Sequence, residues 1–372
     1  MPITCADIIS VIEALAPPHM AESWDNVGLL LGDPRADIKR VLLALDINLD
    51  VAQEAERKGA NLIVTHHPLF LKPLPDIRTD RPAGALVAYL IKNDLAVYTA
   101  HTNLDSAAGG VNTVLAERLG LSGLSVLHVT GRERYVKLAV FVPVFQADAV
   151  RDAVCLAGAG WIGNYSHCTF QAQGTGTFLP LEGTSPYTGK HGELSRVDEA
   201  RLETIVPAGK LKAVLQAMLK AHPYEEPAYD LYPLENEGTP FGLGRVGDLP
   251  EPVTFRDFAG QVKEALGLEK VRLGGPLSEM VRRVAVCGGS GADLYPRALG
   301  AGADVLVTGD VKYHTAQDML AAGLKFIDAG HGGTERLVLP ALRDYLAEQC
   351  PARGIQVEFL LSETDTEPFA TF

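Results

Sequence analysis

Two adjacent histidines stand at the end of an apolar run in the segment NLIVTHHPLF, residues 61–70. The run Leu62–Val64 is short and rich in β-branched residues, which is typical of a buried strand. Because neighbouring strand residues point to opposite faces, His66 and His67 share one site only if the strand has ended and the backbone turns. Pro68 favours such a turn. The alternative is one buried, hydrogen-bonded histidine beside a solvated one.

The elements around this pair alternate between strand and helix in the first third of the chain. The predicted strands are 40–46, 61–67 and 95–101, and the predicted helices are 48–59, 83–94 and 109–120. This alternation indicates parallel βαβ units in a layered α/β sheet. Ligands of such sheets bind beyond the carboxyl ends of the strands. His66, His67 and His101 all fall at that end.

The last third repeats the design. Its predicted strands are 283–291, 304–310, 324–335 (ending in a loop) and 354–361, and its predicted helices are 292–302, 311–323 and 335–350. ANLIVTHHPLF aligns with ADVLVTGDVKY, and LAVYTAHTNLD aligns with LKFIDAGHGGTE. Asp105 follows His101 by four residues, as Glu335 follows His331. This internal similarity predicts a duplicated α/β unit in which equivalent strand ends meet around one cleft.

The side chains expected in that cleft are imidazoles and carboxylates, without a thiolate. They are His66, His67, His101 and Asp105 from the first copy, and His331 and Glu335 from the second. Such ligands suit zinc, manganese, iron, cobalt or nickel. Five or six of them exceed what one open catalytic ion uses, and they suit two ions bridged by a carboxylate. Core histidines held by hydrogen bonds are the alternative that spacing alone leaves open.

Composition limits the class of protein and its partners. The chain has 372 residues, of which 47% are hydrophobic, so it can bury a large core and form two or three domains. A formal net charge of −13 argues against nonspecific binding of nucleic acid or of an anionic membrane surface. Five scattered cysteines favour reduced thiols and a cytoplasmic location. The N-terminus reads as an amphipathic helix, and no apolar stretch approaches the ~20 residues of a membrane span.

Four segments together resemble the Nif-three-like dinuclear-metal family, whose members are often named GTP cyclohydrolase I type 2. The segments are THHPLFL, HTNLD, ESWDNVGLLLG (22–32) and DAGHGGTE. The resemblance implies a duplicated three-layer α/β fold, a toroidal homohexamer and a two-metal centre that faces its interior. By position it implies five ligands: His66, His67, Asp105, His331 and Glu335. It also implies that Glu335 bridges the ions and that His101 orients a ligand or the substrate.

The middle third has a different pattern of strand, helix, two strands, helix and strand, which predicts a ferredoxin-like βαββαβ domain. GNYSHCTF, GTGTFLP and HPYEEPAYDLYPL resemble the insert, related to the PII and CutA folds, of longer family members. The prediction is therefore an α/β fold with halves at 1–130 and 241–372, split by an insert at 131–240. The prolines of HPYEEP (222–227) favour a structural turn over a metal site.

Four other motifs are assigned structural roles, with alternatives. GLGRVG (242–247) lacks the strand and helix of a dinucleotide site and is expected to be a loop that re-enters the second half. GGSG (288–291) is expected to be a tight turn, with an anion contact as the alternative. Asp310 and His314 are expected to cap a helix or to assist the metal ligands. Trp24–Asn26 is expected to cap and pack.

These observations predict a dinuclear-metal-dependent hydrolase that acts on a small substrate such as a nucleotide or phosphoester. The ions would activate water, and His101 would move the proton. The alternative is a non-catalytic metal-binding or regulatory hexameric scaffold whose insert senses a ligand. A nucleic-acid adaptor is disfavoured by the acidic charge.

Overall fold

The computed structural model describes residues 2–370. These residues form two compact units: the first comprises the chain up to Gly131 and from Phe241 onward, and the second is Arg132–Pro240. Helices and several sheets occur together, so the expected α/β class is confirmed. No helix within residues 2–370 is long and apolar enough to cross a membrane.

The first segment of the first unit alternates strand and helix, as predicted. Its elements are α1 (Cys5–Leu15), β1 (Gly28–Leu31), β2 (Arg40–Ala44), α2 (Leu49–Lys58), β3 (Leu62–Thr65), α3 (Pro82–Lys92), β4 (Ala96–Thr99), α4 (Thr102–Ser106), α5 (Val111–Arg118) and β5 (Ser122–Arg132). Asn48 caps the start of α2 through its side chain, and Gly59 ends it in the left-handed conformation.

The second unit contains one four-stranded antiparallel sheet in the order β7-β8-β6-β9. Its elements are β6 (Tyr135–Pro143), α6 (Ala147–Leu156), β7 (Thr169–Phe178), β8 (Ser195–Pro207), α7 (Leu211–Ala221) and β9 (Tyr229–Leu234). Alternate strand residues such as Leu138, Val140 and Leu202 pack with Val154 and Met218 of the two helices. One face of this sheet therefore forms the core, and the opposite face carries the intervening residues.

The remaining chain completes the first unit. Its elements are β10 (Pro240–Thr254), α8 (Phe255–Ala265), β11 (Arg272–Gly274), β12 (Met280–Val286), α9 (Tyr295–Gly300), β13 (Val305–Thr308), α10 (Tyr313–Ala321), β14 (Lys325–Asp328), α11 (His331–Glu335), α12 (Val338–Ala352) and β15 (Glu358–Leu361). Strands β13 and β14 are buried along their whole length, and β13 accordingly reads as an apolar run, whereas β14 begins and ends with the charged residues Lys325 and Asp328.

The first unit contains two sheets with a common pattern. Their strand orders are β1-β4-β3-β2-β15 and β11-β14-β13-β12-β10-β5. In each sheet three consecutive strands run parallel, β2-β3-β4 in one and β12-β13-β14 in the other. An antiparallel strand lies beside the last of the three, β1 beside β4 and β11 beside β14. The carboxyl ends of the parallel strands meet at one edge of each sheet.

Two local predictions are wrong. GLGRVG is not a re-entry loop, because it lies within β10 and its last residues, from Arg245, pair with β12. The glycines suggested a loop, but Gly242 and Gly244 instead introduce irregular backbone into a long strand. The segment after β14 is not only loop: His331–Glu335 forms the short helix α11, entered through Gly330 at φ 79°.

Candidate metal centre

His66 and His67 lie at the point where β3 ends. Their backbone N–H groups donate to the carbonyls of Ala44 (3.2 Å) and Leu45 (2.8 Å), so the chain stays beside the end of β2 as it turns. The two rings lie on the same side, with centroids 5.1 Å apart. The turn after the strand therefore allows two neighbouring residues to enter one site, which a continuous strand would not.

His101 and Asp105 are positioned by the short helix α4, which begins just after His101. Oδ2 of Asp25 accepts hydrogen bonds from the N–H (3.0 Å) and the hydroxyl of Thr102, and so caps the start of this helix. At the other end of α4, the buried Arg245 donates to the carbonyls of Ser106 (3.1 Å) and Ala107 (2.8 Å). Both ends of α4 are therefore fixed.

His331 and Glu335 occupy α11 at a spacing of four residues, which places them on one face of the helix. Nε2 of His331 lies 3.2 Å from Oε2 of Glu335. Gly289 packs against this carboxylate, and a Cβ at Gly289 would overlap Oε1 of Glu335. The backbone of Gly289 is also in the left-handed conformation, at φ 61°. A glycine is therefore required beside Glu335 for both reasons.

The GGSG segment acts as a turn in this structure. The N–H groups of Gly288, Gly289 and Gly291 each donate to a side-chain oxygen. The acceptors are Oδ1 of Asn112, Oγ1 of Thr334 and Oγ1 of Thr308, each at 2.9 Å. These amides are therefore occupied within the protein and do not form a cradle for an anion.

The structure brings all six sequence-predicted side chains together. Nε2 of His66 lies 3.7 Å from Oδ1 of Asp105 and 3.6 Å from Oε1 of Glu335. Nε2 of His67 lies 3.0 Å from Oε2 of Glu335 and 3.2 Å from Nε2 of His331. Ligand atoms lie within 4.8 Å of one another in three overlapping groups, namely His66–Asp105–Glu335, His67–His331–Glu335 and His66–His67–His101.

Each of the four imidazoles has its Nδ1 atom bonded to an oxygen outside the cluster. The acceptors are the Ala100 carbonyl for His66 (3.0 Å), Asp46 for His67 (2.7 Å), Asp25 for His101 (2.8 Å) and Asp310 for His331 (2.7 Å). A carbonyl or an ionised carboxylate can only accept, so Nδ1 carries the hydrogen. The neutral rings therefore present the lone pairs of their Nε2 atoms to the centre, as metal-binding histidines do.

The electrostatics of the cluster favour positive charge. Five carboxylates surround the imidazoles, and their ion-pair partners among residues 2–370 are all histidines. Burial would lower the pKa of His67, but its bonds with Asp46 and Glu335 raise it to about 10. The bond with Glu335 raises the pKa of His331 to about 9. Burial raises the pKa of Asp105 to about 6. A metal cation would be stabilised by the same field that holds protons here.

The hydrogen-bond pattern also fits a metal. Nε2 of His66, Oδ1 of Asp105 and Oε2 of Glu335 are buried and have no hydrogen-bond partner within the described part of the chain. Burying such atoms unpaired is costly. Nε2 of His67, Nε2 of His331 and Oε2 of Glu335 also lie 3.0–3.2 Å from one another, a spacing that requires a proton or a metal cation among them. These residues therefore form a cluster that can bind metal.

The cluster has an inner and an outer part. The side chains of His66 and Glu335 are almost fully buried, whereas those of His67 and His331 are 22% and 38% exposed. His67 and His331 line a cleft of about 730 Å³, together with Asp46, Asp310 and the segment 361–369. A small molecule entering this cleft would therefore meet the outer part first.

The segment 361–369 forms a wall of the cleft and is held by the buried Glu54 of α2. Glu54 accepts hydrogen bonds from the hydroxyls of Ser362 and Thr364, both at 2.6 Å, and from the N–H of Glu363 at 2.8 Å. Thr366 donates to Asp46, the carboxylate that also holds His67. The wall and the cluster are thus connected through one carboxylate.

Sequence reasoning missed or misjudged several of these supporting residues. No role was predicted for Asp46, although it is the last residue of the predicted strand 40–46. That strand was expected beside the one that ends in His66 and His67, so the position of Asp46 was a usable signal. Asp25 does cap a helix, as expected, but its other oxygen holds His101. Asp310 holds His331 from a left-handed backbone at φ 54°, whereas His314 bonds to the neighbouring Gln317 and belongs to no group of candidate metal ligands.

The chain is similar to known proteins over nearly its whole length. The sequence matches the profile of the Duf34/NIF3 (NGG1p interacting factor 3) family over residues 3–368. It is 47% identical to a GTP cyclohydrolase 1 type 2 homolog of Halalkalibacterium halodurans and 45% identical to one of Bacillus subtilis, each over 97% of both chains. The crystal structure of a Bacillus cereus protein related to NIF3 superposes over 100% of both chains, with a TM-score of 0.89 and 45% identity.

Proposed function

The chain belongs to the Duf34/NIF3 (NGG1p interacting factor 3) family, and from that premise we propose that it is a metal-dependent hydrolase holding two divalent ions per chain. The observation that carries the proposal is the convergence of unpaired imidazole and carboxylate atoms on one buried point beside a cleft. Structural histidines would not need every Nδ1 tied outward and every Nε2 directed inward.

Two cation positions are proposed. The inner position would be held by His66, Asp105 and Glu335, and the outer position by His67, His331 and Glu335. Glu335 is the shared residue because its Oε1 faces His66 while its Oε2 faces His67 and His331. Zinc, manganese, iron, cobalt and nickel all suit this nitrogen and oxygen ligand set.

The reaction would be hydrolysis of a small substrate in the cleft. When bound, a pair of divalent ions lowers the pKa of water and polarises the bond under attack. His101 is placed to accept a proton at Nε2, because Asp25 holds its Nδ1 and would stabilise the imidazolium that forms. The ring of Trp24 lies edge-on to the His101 ring, at 6.2 Å between centroids.

The proposed substrate class is a nucleotide or another phosphoester. Within the described part of the chain, Arg336 is the one lysine or arginine that lines the cleft, at the end of α11 beyond Glu335. An anionic group would be attracted both by Arg336 and by a metal-loaded cluster. The names of the relatives, which refer to GTP cyclohydrolase, support the nucleotide class.

The finer architecture is part of the same proposal. The shared order of three parallel strands and one antiparallel strand supports a duplicated fold. The order β6-α6-β7-β8-α7-β9 supports a ferredoxin-like insert at about 131–240. We also retain from the family resemblance a cytoplasmic homohexamer with the metal centres facing its interior.

A substrate screen tests the function. Metal-loaded protein would be incubated with panels of nucleotides, phosphomonoesters, phosphodiesters and amides, with Glu335→Ala as the inactive control and Glu367→Gln as a cleft variant that retains the ligands. Metal-dependent turnover that is abolished by Glu335→Ala supports the hydrolase. Tight metal binding without turnover on any panel would contradict it and would favour the regulatory scaffold.

A further inference from the structure

The second unit contains a cavity of about 300 Å³ that has no connection with the metal chemistry. It lies on the face of the four-stranded sheet opposite the two helices. Its walls carry four aromatic rings, Phe141, Phe178, Tyr187 and Tyr224, and three carboxylates, Glu199, Glu225 and Glu226. Among residues 2–370, no lysine or arginine lines it. A volume of this size accommodates a small organic molecule.

Glu199 is the chemically distinctive residue of this cavity. It is only 8% exposed, and the hydroxyl of Tyr224 donates to its Oε1 at 3.0 Å. Within residues 2–370 it forms no ion pair, because Arg201, the nearest cation along the same strand face, pairs with Glu203 at 3.0 Å instead. A buried carboxylate with one hydrogen bond and no cation is costly to retain. A cation bound beside Glu199 would offset this cost.

The fold makes room for this carboxylate. A Cβ at Gly176 on the neighbouring strand β7 would lie within 3 Å of both oxygens and the carboxyl carbon of Glu199. Glycine in the interior of a strand weakens the sheet, and it is tolerated where another group approaches closely. The absence of a side chain at Gly176 thus lets Glu199 turn into the cavity.

The HPYEEP turn closes one side of the cavity and is not a metal site. Both ring nitrogens of His222 are used, since Nε2 donates to the Phe141 carbonyl (2.9 Å) and Nδ1 accepts from the N–H of Tyr224 (3.1 Å). The N–H of Ser185 donates to both oxygens of Glu225, at 3.0 and 3.2 Å. This contact ties the loop that carries Tyr187 to the turn and holds the rings together.

The aromatic rings are arranged as tilted walls. The ring of Tyr224 lies 5.8 Å from that of Phe178 and 6.2 Å from that of Tyr187, with interplanar angles of 58° and 47°. The faces of such rings attract organic cations, and this attraction increases when the cation is removed from water. An anion would instead meet three carboxylates.

We infer that this cavity binds a small organic ammonium ion, with Glu199 as its counter-ion and Phe178, Tyr187 and Tyr224 as its walls. The inference does not depend on the proposed hydrolase activity, because none of these residues belongs to the metal centre.

The test measures binding of matched charged and neutral probes to the full chain by calorimetry or ligand-observed NMR. Choline is compared with 3,3-dimethylbutan-1-ol, its neutral isostere, and benzylammonium is compared with benzyl alcohol. We expect at least one ammonium probe to bind saturably with a Kd of about 1 mM or lower, and its neutral partner to bind at least about tenfold more weakly.

Three variants locate the site. Glu199→Gln keeps the shape but removes the charge, and it should weaken ammonium binding by about tenfold or more. Tyr187→Leu removes one wall at a ring that is 53% exposed, so it should fold normally and weaken binding several-fold. Asp198→Asn is the matched control, since this exposed neighbour points to the other side of the sheet and should change nothing.

Several results would overturn the inference. Absence of saturable binding of both ammonium probes up to about 20 mM would exclude the site. Equal binding of charged and neutral partners would exclude the cation. Should Glu199→Gln fail to fold, Tyr187→Leu decides: unchanged affinity in this folded variant would mean that the probes bind elsewhere.

Discussion

The two halves of the first unit use equivalent positions for different purposes. After β3 the chain reads Thr65-His66-His67, and after β13 it reads Thr308-Gly309-Asp310. The first half thus places two imidazoles directly at the strand end. The second half has no side chain at Gly309, where a Cβ would lie 2.8 Å from the backbone of Gly330 and His331. One half has imidazoles at this position, and the other leaves space for α11.

The helices that follow β4 and β14 are more alike, and they differ in the length of the carboxylate side chain. In each case a histidine at the helix start, His101 just before α4 and His331 as the first residue of α11, is followed four residues later by a carboxylate, and an aspartate outside the helix holds Nδ1 of the histidine. Asp105 is the shorter carboxylate, and its metal-facing contact is with His66. Glu335 is one methylene longer and contacts His66, His67 and His331. The proposal therefore assigns the bridging role to Glu335 of the second half.

The largest expected effect comes from removing this bridge. Glu335→Ala removes a ligand from both positions and the negative charge between them, so the affinity for both ions should fall by more than about 100-fold. Glu335→Gln keeps the shape without the charge and should fall between this variant and the wild type. Titration of zinc or manganese against a chelator measures both, and oligomeric state and circular dichroism serve to exclude unfolding.

The next largest effect distinguishes the inner from the outer cation position. His66→Ala should remove mainly the inner ion and His331→Ala mainly the outer ion, so each variant should retain one ion per chain. The measurement is metal content after gel filtration, with His314→Ala as the histidine control outside the cluster. If a single histidine variant lost both ions while Glu335→Ala kept one at near-normal affinity, the bridge would be assigned to the wrong residue.

A smaller effect tests the supporting carboxylates. Asp310→Asn and Asp46→Asn should each weaken the outer ion by about 10- to 100-fold, because an amide lacks the charge of the carboxylate and can turn its NH2 group toward Nδ1, so it no longer fixes the tautomer of the outer histidine. Competition with a chromogenic chelator measures this loss. Equal weakening of both ions by Asp310→Asn would show that the ligands are not divided between an inner and an outer position as proposed.

The smallest effect on the metal centre is expected from Glu54. Its side chain holds the segment 361–369, which forms a wall of the cleft. Burial would raise the pKa of Glu54, but hydrogen bonds from Glu363, Lys58, Ser362 and Thr364 lower it to about 2. Since the folded pKa lies below the unfolded one, Glu54 stabilises the fold above about pH 4.5, and this contribution is lost as the pH falls toward 2.

We therefore expect the wild type to lose about 2 kcal/mol of unfolding free energy between about pH 5 and about pH 3 through this group. Glu54→Gln should be less stable at neutral pH and should lack this part of the acid dependence, while its metal affinity changes by less than about threefold. Urea unfolding at several pH values provides the measurement. An unchanged pH profile in Glu54→Gln would show that the wall is held by other contacts.

The sequence predicted the ligands better than their supports. Apolar runs that end in histidines located the strand ends, because buried parallel strands have a strong local signal. Arg245 had no such signal, since it acts on Ser106 and Ala107, which are far away in the chain. The glycines of GLGRVG suggested a loop, whereas pairing with β12 makes the segment part of a strand. Such tertiary pairings override local propensity.

The central claim is that the two halves build one site for two ions. Full-length protein saturated with zinc or manganese, freed of excess metal and analysed for elemental content against protein concentration, tests it most directly. The account predicts about two ions per chain, because the ligands exceed the needs of one open site and share Glu335. A single ion per chain under saturating conditions would contradict it.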